Sequence, residues 1–412
     1  MKKYITYILL TLILTNCTEP YALQTEDFED AIVVEATITN ELKKHEVKIT
    51  RTFPLEFQKA MHEENAIVYV LDDLGNRFDF EEVDKKYVSV TPFEAMPNHS
   101  YQLYITTSDG KSYSSSKENL PTITPIQDVL TRVITKDGQK GVEITANTTD
   151  PTNTSKYYRY QFTETSKVTS PKWNPYKLIL LDQPRICPGP NFIGYESIGY
   201  ELRGYESRTC YRTENSNNIL ITSTTNLSQD QVIHFPVRFI ANTDYTIAER
   251  YSIEVTQFVQ NYNAHSYYKT LKKISENGNL LSGNQPGLVK GNLKCITNSN
   301  ENVLGLFEVA SVSKKRIFFN FDELFPGAPI PKYFVECKEY GYDSMDFGKP
   351  DPRPNAEFPC GTGGQGTTLR RYIRNNTATY FRTDQTVIFL VQPICGDCTT
   401  IASNIKPLFW ID

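Results

Sequence analysis

Ala31-Ile32-Val33-Val34-Glu35-Ala36-Thr37-Ile38-Thr39-Asn40 is the stretch on which the fold turns. Its β-branched side chains are stiff at χ1, which suits a pleated, half-buried surface better than a helix. The partial alternation of apolar and polar residues is that of a strand with one face in a core. Moving outward, Val47-Lys48-Ile49-Thr50, Ala66-Ile67-Val68-Tyr69-Val70-Leu71 and residues 87–90, 101–106 and 111–115 repeat the pattern. Asp72-Asp73-Leu74-Gly75-Asn76 and Asp109-Gly110 lie between them as turn clusters. Short strands at near-regular spacing over residues 31–120 predict an N-terminal immunoglobulin-like β-sandwich. Leu120-Pro121-Thr122-Ile123-Thr124-Pro125 follows, and its prolines predict an extended linker over residues 121–126.

Beyond it, residues 127–412 read as a larger β-rich domain with one short helix and long disulfide-bearing loops, so the chain as a whole is mainly β. Strands are expected at 141–145, 157–163, 219–224, 231–240, 251–258, 291–296, 304–312, 316–321 and 386–391. The helix is expected at 264–276, where Tyr267, Tyr268, Leu271 and Ile274 recur at helical spacing and Asn277-Gly278-Asn279 stops the run. A long loop is expected between Lys338 and Gly366.

The other end of the chain addresses location. Met1-Lys2-Lys3, an apolar run from Tyr4 to Leu14, and Thr15-Asn16-Cys17 form a lipoprotein-type signal peptide over residues 1–16. The run is shorter than the roughly 20 residues a spanning helix needs. Cys17 is the lipidation candidate, with residues 17–30 as a tether; the alternative is a plain secretory signal with an ordinary thiol at Cys17. Several acyl chains hold firmly, since each buried methylene contributes about 0.8 kcal/mol. The chain carries 43 Lys and Arg against 48 Asp and Glu, a formal charge of −5, without a basic stripe or a block of like charge. That excludes nucleic acid as an expected partner.

Seven further cysteines, Cys187, Cys210, Cys295, Cys337, Cys360, Cys395 and Cys398, cluster late in the chain. They suggest disulfides formed in an oxidising compartment. Cys187 with Cys210, Cys337 with Cys360 and Cys395 with Cys398 would leave Cys295 over, and a link from Cys295 to Cys395-Gly396-Asp397-Cys398 competes. That C-x-x-C is also half of a zinc set or a redox pair, but no second half and no strand-to-helix context near the start of the chain accompany it. No metal and no cofactor is expected.

Catalytic signals are thin. His45, His62, His99, His234 and His265 are scattered without ligand spacing, and no G-x-S-x-G elbow occurs. Gly361-Thr362-Gly363-Gly364-Gln365-Gly366 lacks the context of a phosphate cradle and reads as a flexible, disulfide-anchored loop. A more unusual feature is Gly194-Tyr195-Glu196, Gly199-Tyr200-Glu201 and Gly204-Tyr205-Glu206. A period of five matches neither a strand nor a helix, which predicts a loop with an adaptable tyrosine surface. Tyr195, Tyr200 and Tyr205 are therefore partner-binding candidates. Tyr340, Tyr342 and Phe347 in the second long insertion join them.

Gln285-Pro286-Gly287-Leu288-Val289-Lys290-Gly291-Asn292-Leu293, residues 303–312 and Lys315-Arg316-Ile317-Phe318-Phe319 resemble a block of a Bacteroidota lipoprotein family catalogued as domain of unknown function 4249. The opening Ile32-Val33-Val34-Glu35-Ala36, the tyrosine-bearing helix, the Cys395–Cys398 segment and Lys406-Pro407-Leu408-Phe409-Trp410 are similar to it as well. The resemblance implies an outer-membrane lipoprotein of β-sandwich character, often encoded beside TonB-dependent receptors, with no defined reaction. The expected function is non-enzymatic: an accessory subunit of an outer-membrane β-barrel complex, either a TonB-dependent transporter or a barrel-assembly or secretion machine. The expected partners are that barrel and other lipoproteins, and the expected place is the cell surface, with the periplasmic face as the alternative. A surface glycan- or ligand-binding protein is the rival reading, and a hydrolase stands behind it.

Overall fold

The computed structural model describes residues 30–53, 61–186, 193–276, 289–343 and 365–412. The expected signal peptide and the lipidation candidate Cys17 lie outside these residues, as do Cys187, Cys360 and Phe347.

The chain is mainly β and is arranged in several sheets. The opening stretch forms the strand Ile32–Thr39, whose Ile32, Val34, Ala36 and Ile38 point into a core while Glu35 faces out. Each large aliphatic side chain buried there contributes about 1.5–3 kcal/mol relative to exposure. This strand is central: it pairs antiparallel with Glu46–Arg51 on one side and parallel with Val303–Asn320 on the other. From Glu46–Arg51 the same sheet continues through Lys86–Ser89, Arg77–Val83, Ile67–Asp72, Ser100–Thr106 and Ser112–Ser115 to Leu293–Cys295. Through Val303–Asn320 it reaches Arg250–Val259, Tyr157–Thr169 and finally Thr209–Asn215.

Val303–Asn320 is one strand of 18 residues, where sequence reading expects two, at 304–312 and 316–321. Its first part, to Ala310, pairs with Ile32–Thr39, and its second, from Ser311, pairs antiparallel with Arg250–Val259. The polar run Ser313-Lys314-Lys315 imitates a break but falls beside the change of partner. There Lys314 reaches Glu41 at 2.6 Å, Lys315 reaches Asp128 at 3.2 Å, and the Ser313 hydroxyl accepts from the Ile126 amide at 3.0 Å.

Two hydrophobic cores flank this shared strand. The first is built from residues 32–120 together with Leu293, Cys295, Val303, Phe307 and Val309. The core of residues 32–120 thus also draws on residues from far along the chain. The second gathers Val142, Ile144, Tyr158, Tyr160, Ile253, Val255 and Phe319 under the three-stranded sheet Ile126–Lys136, Gln139–Asp150 and Asp230–Ala241. The segment read as a linker is held down: the Thr124 carbonyl accepts from Gln257 Nε2 at 2.9 Å and the Thr122 carbonyl from Ser311 Oγ at 2.8 Å.

Two glycines let the backbones close up. Gly305 has φ +98° and lies so near Val34 that an added Cβ would stand 1.9 Å from the Val34 carbonyl oxygen. Gly291 would place its Cβ 1.6 Å from the Gly305 oxygen. No residue with a side chain fits either place without moving the backbone.

The helix Tyr262–Glu276 starts two residues before its expected position. A second helix, Gln365–Asn375, was missed by sequence reading, which placed a flexible loop at its start. Gly366-Thr367-Thr368 has low helix propensity, and tertiary packing of Leu369 overrides it.

Candidate functional site

Both tyrosine regions picked from the sequence converge on one lobe. Tyr176–Ile186 and Ile193–Leu202 form a two-stranded antiparallel hairpin, and Tyr340–Asp343, Val387–Val391 and Thr379–Asp384 form a three-stranded sheet. The helix Gln365–Asn375 packs with both. Leu369, Ile388 and Leu390 form the buried centre, flanked by Leu178, Ile198, Tyr342, Tyr372 and Tyr380.

Of the three period-five tyrosines only Tyr205 lies in a loop, between the strands Ile193–Leu202 and Thr209–Asn215. Tyr195 and Tyr200 lie on the strand Ile193–Leu202, opposite Gln183 and Leu178. Successive residues of a strand alternate between its two faces. Failure to share a face does not exclude a strand, and that was the flaw in the expectation. Gly199 has its own use: an added Cβ would stand 2.7 Å from Leu181 Cδ1, because Leu181 folds across it. Tyr176, Tyr200 and Leu202 share a face and stay exposed, at 42%, 50% and 62%. Tyr200 stacks edge-on with Tyr380 at 5.4 Å, and its hydroxyl is 3.1 Å from Thr383 Oγ1.

Tyr205 has a different task. Its hydroxyl donates to Asp397 Oδ2 at 2.9 Å, and burial, then Asp397, raises its pKa. Tyr340 and Tyr342 are not in a loop either but on the short strand Tyr340–Asp343, opposite Leu390 and Ile388. Burial first, and the Tyr372 hydroxyl second, push Tyr342 up to about 12. Tyr340 remains exposed.

A covalent clasp ties the lobe to the strand Thr209–Asn215, at a separate small cluster of Val168, Cys210 and Cys398. Cys210 is bonded to Cys398 and Cys337 to Cys395, each pair with Cα atoms 5.7 Å apart. This corrects the sequential pairings Cys187–Cys210, Cys337–Cys360 and Cys395–Cys398. Cys395 sits in the helical turn Pro393–Gly396 and Cys398 opens the next turn, so the two sulfurs serve different segments. Engaged in this way, Cys395 and Cys398 are neither zinc ligands nor a dithiol pair. Cys295 is a buried free thiol.

Between the two bridges Asp397 ties the hairpin root. It accepts from Arg203 Nη1 at 2.8 Å as well as from Tyr205, and it caps the next turn by accepting from the Thr399 amide at 2.9 Å. Arg203 Nε donates to the Asn174 carbonyl at 3.1 Å, and Trp173 Nε1 donates to Ser207 Oγ at 3.0 Å. Nearby Glu339 takes Lys172 at 2.7 Å and Arg382 at 3.0 Å, and Lys172 first, then Arg382, keep its carboxyl below the usual range. Trp410 packs against Tyr211 and Phe318 as a core residue.

Sequence reading also missed a groove of about 930 Å³ between the strand Ile32–Thr39 and the helix Tyr262–Glu276. On its floor the Arg159 guanidinium lies between the Phe258 and Tyr268 rings, 3.9 and 4.5 Å from their centroids. It donates to Glu308 at 3.0 Å, and Gln260 also donates to Glu308. Arg159 is 4% exposed and Glu308 1%. Around the rim Lys48 faces Glu35, Lys86 faces Glu46 and Lys44 faces Glu81, so the groove offers matched charges rather than a field of one sign. The only signal in the sequence was Glu308 inside an otherwise apolar run.

A family profile described as "Domain of unknown function (DUF4249)" matches residues 18–316. The match ends before the Cys395–Cys398 clasp. A search of curated proteins finds no match.

Proposed function

The chain belongs to the DUF4249 family, and on that premise we propose that it is a non-enzymatic lipoprotein, anchored in the outer membrane through Cys17, whose clasped lobe docks on a β-barrel partner. The observation that carries this reading is the exposed margin of the hairpin, Tyr176, Tyr200 and Leu202, at the end of the face whose Leu178 and Ile198 pack on the lobe's buried centre, with the Arg203–Asp397 pair holding the hairpin root. Contiguous exposed apolar surface on a rigid support is the usual mark of an interaction site. Tyrosine suits it, giving large contact area at low entropic cost. Two-dimensional tethering raises the local concentration of a barrel partner, so a modest patch suffices.

The test replaces Tyr176, Tyr200 and Leu202 with serine in the full chain. Tyr205 is left alone because it holds Asp397. The variant should keep its circular dichroism, and its melting temperature should fall only modestly through the lost Tyr200–Tyr380 contact, while its recovery of a partner from native membranes falls at least tenfold. In parallel, Cys17→Ser should move the protein from the membrane fraction to the soluble one. Unchanged partner recovery by the serine variant would refute the lobe as the docking surface.

A further inference from the structure

The last strand of the large sheet, Thr209–Asn215, has one paired edge and one open edge. Its register against Tyr157–Thr169 runs Thr169↔Thr209 to Thr163↔Asn215. Just past the strand the Ser216 amide donates inward to the Phe162 carbonyl at 2.9 Å, so the even-numbered residues turn their backbone groups towards the sheet. Odd-numbered residues turn theirs outward. Tyr211 fits this: its amide donates to the Ser403 carbonyl at 2.7 Å and its carbonyl accepts from the Ser403 amide at 3.2 Å. Ser403 covers that position alone. Among the described residues no backbone partner stands opposite the next two outward positions, Thr213 and Asn215, and both are exposed.

A hollow of about 500 Å³ runs beside this open edge. Its walls include Phe334, Ile394, Ile401 and Ala402, with the Arg212 guanidinium lying 5.1 Å over the Phe334 ring. Apolar walls beside a row of unpaired amides and carbonyls suit one class of partner. An extended peptide backbone repeats its own donors and acceptors at the same period and sends alternate side chains sideways. A sugar or a compact ligand has no such repeat.

We propose that the edge Tyr211–Asn215 is a β-augmentation site that takes an extended peptide segment of a partner protein. The segment continues the pairing that Ser403 begins and seats an aliphatic side chain between Phe334 and Ile401. This site shares no residue with the exposed hairpin face and does not depend on the docking proposed for it.

The probe is a capped hexapeptide of alternating threonine and valine, fluorescein-labelled and titrated into the full chain by fluorescence anisotropy. Its partner is the same peptide with every second amide N-methylated, in both registers, which keeps the side chains and removes alternate donors. Saturable binding by the plain peptide, weakened at least tenfold by methylation in one register, is the expected result. Thr213→Pro should weaken the plain peptide equally, since it deletes an outward N–H and leaves the inward ladder intact. Equal binding of plain and methylated peptides, or no binding up to 1 mM (roughly the weakest affinity, about −4 kcal/mol, that such a contact would give), would overturn the proposal. So would concentration-dependent dimerisation abolished by Thr213→Pro, which would assign the edge to a second copy of this chain. The methylation comparison uses the unaltered protein, so a folding defect in the proline variant leaves the test intact.

Discussion

Gly305 and Gly75 share nearly the same backbone conformation, φ +98° and +85°, but not the same surroundings. Around Gly75 nothing lies within 4 Å of an added Cβ, whereas at Gly305 the Val34 backbone is in the way. Gly75→Ala should therefore cost about 1 kcal/mol, for backbone strain alone. Gly305→Ala should cost about 3 kcal/mol or more, because the strand Ile32–Thr39 must also shift. Urea unfolding of the two variants gives the comparison. His45 supplies a pH prediction. It is buried, its Nε2 donates to the Phe93 carbonyl at 2.9 Å, and burial first, then Lys43, hold its pKa down at about 4. A neutral histidine in the fold binds fewer protons than the unfolded chain between that value and its ordinary 6.5, so stability rises with pH across this window. The protein should be at full stability above about pH 6.5 and lose up to about 3 kcal/mol as pH falls towards 4. His45→Gln, which keeps a donor and cannot ionise, should flatten that part of the profile in urea titrations at pH 7 and pH 4.5.

The clasp sets the behaviour of the lobe at the scale of elements. Replacing Cys337 and Cys395 together by serine should cost about 2–4 kcal/mol, concentrated in the lobe. Hydrogen exchange should then rise in Tyr340–Asp343 and Val387–Val391 while Ile32–Thr39 stays protected. Asp397→Ala should be as damaging, about 3–5 kcal/mol, since it leaves a buried arginine without its carboxylate. These elements also show what was legible in advance. Strands such as Ile67–Asp72 and Ser100–Thr106 advertise themselves through β-branched and aromatic alternation, and the helix Tyr262–Glu276 through its tyrosine spacing. Arg77–Val83 escaped because Arg77, Asp79, Glu81 and Glu82 make it read as a charged turn, and Ile126–Lys136 because its apolar residues do not alternate, Leu130 and Val133 being exposed. The hairpin Tyr176–Ile186 with Ile193–Leu202 escaped because the period of five matches no regular element, while its pairing signal lies across two strands, as in Leu178 with Tyr200. Disulfide partners were hidden for a geometric reason: Cys210 and Cys398 are 188 residues apart, and only the folded sheet brings them together.

Across the whole molecule, the strand Val303–Asn320 belongs to both cores, so neither half of the chain closes without it. A cut or proline within 303–320 should unfold both cores in a single transition, which differential scanning calorimetry would register. Candidate residues from two distant insertions meet in one lobe, a convergence that sequence spacing does not encode. Tyr200, Tyr205 and Tyr340 keep exposed rings, although the Tyr205 hydroxyl is tied to Asp397, while Tyr342 packs on the buried centre. The proposed function joins a lipid anchor at Cys17 to a docking face on the clasped lobe, so that the protein would hold a partner in the outer membrane. The most direct test is purification of the full chain from native outer membranes in mild detergent through a C-terminal tag, with mass spectrometry of what accompanies it. A β-barrel protein in stoichiometric amount, lost when Tyr176, Tyr200 and Leu202 are replaced by serine, is the predicted result; a solitary lipoprotein would contradict it.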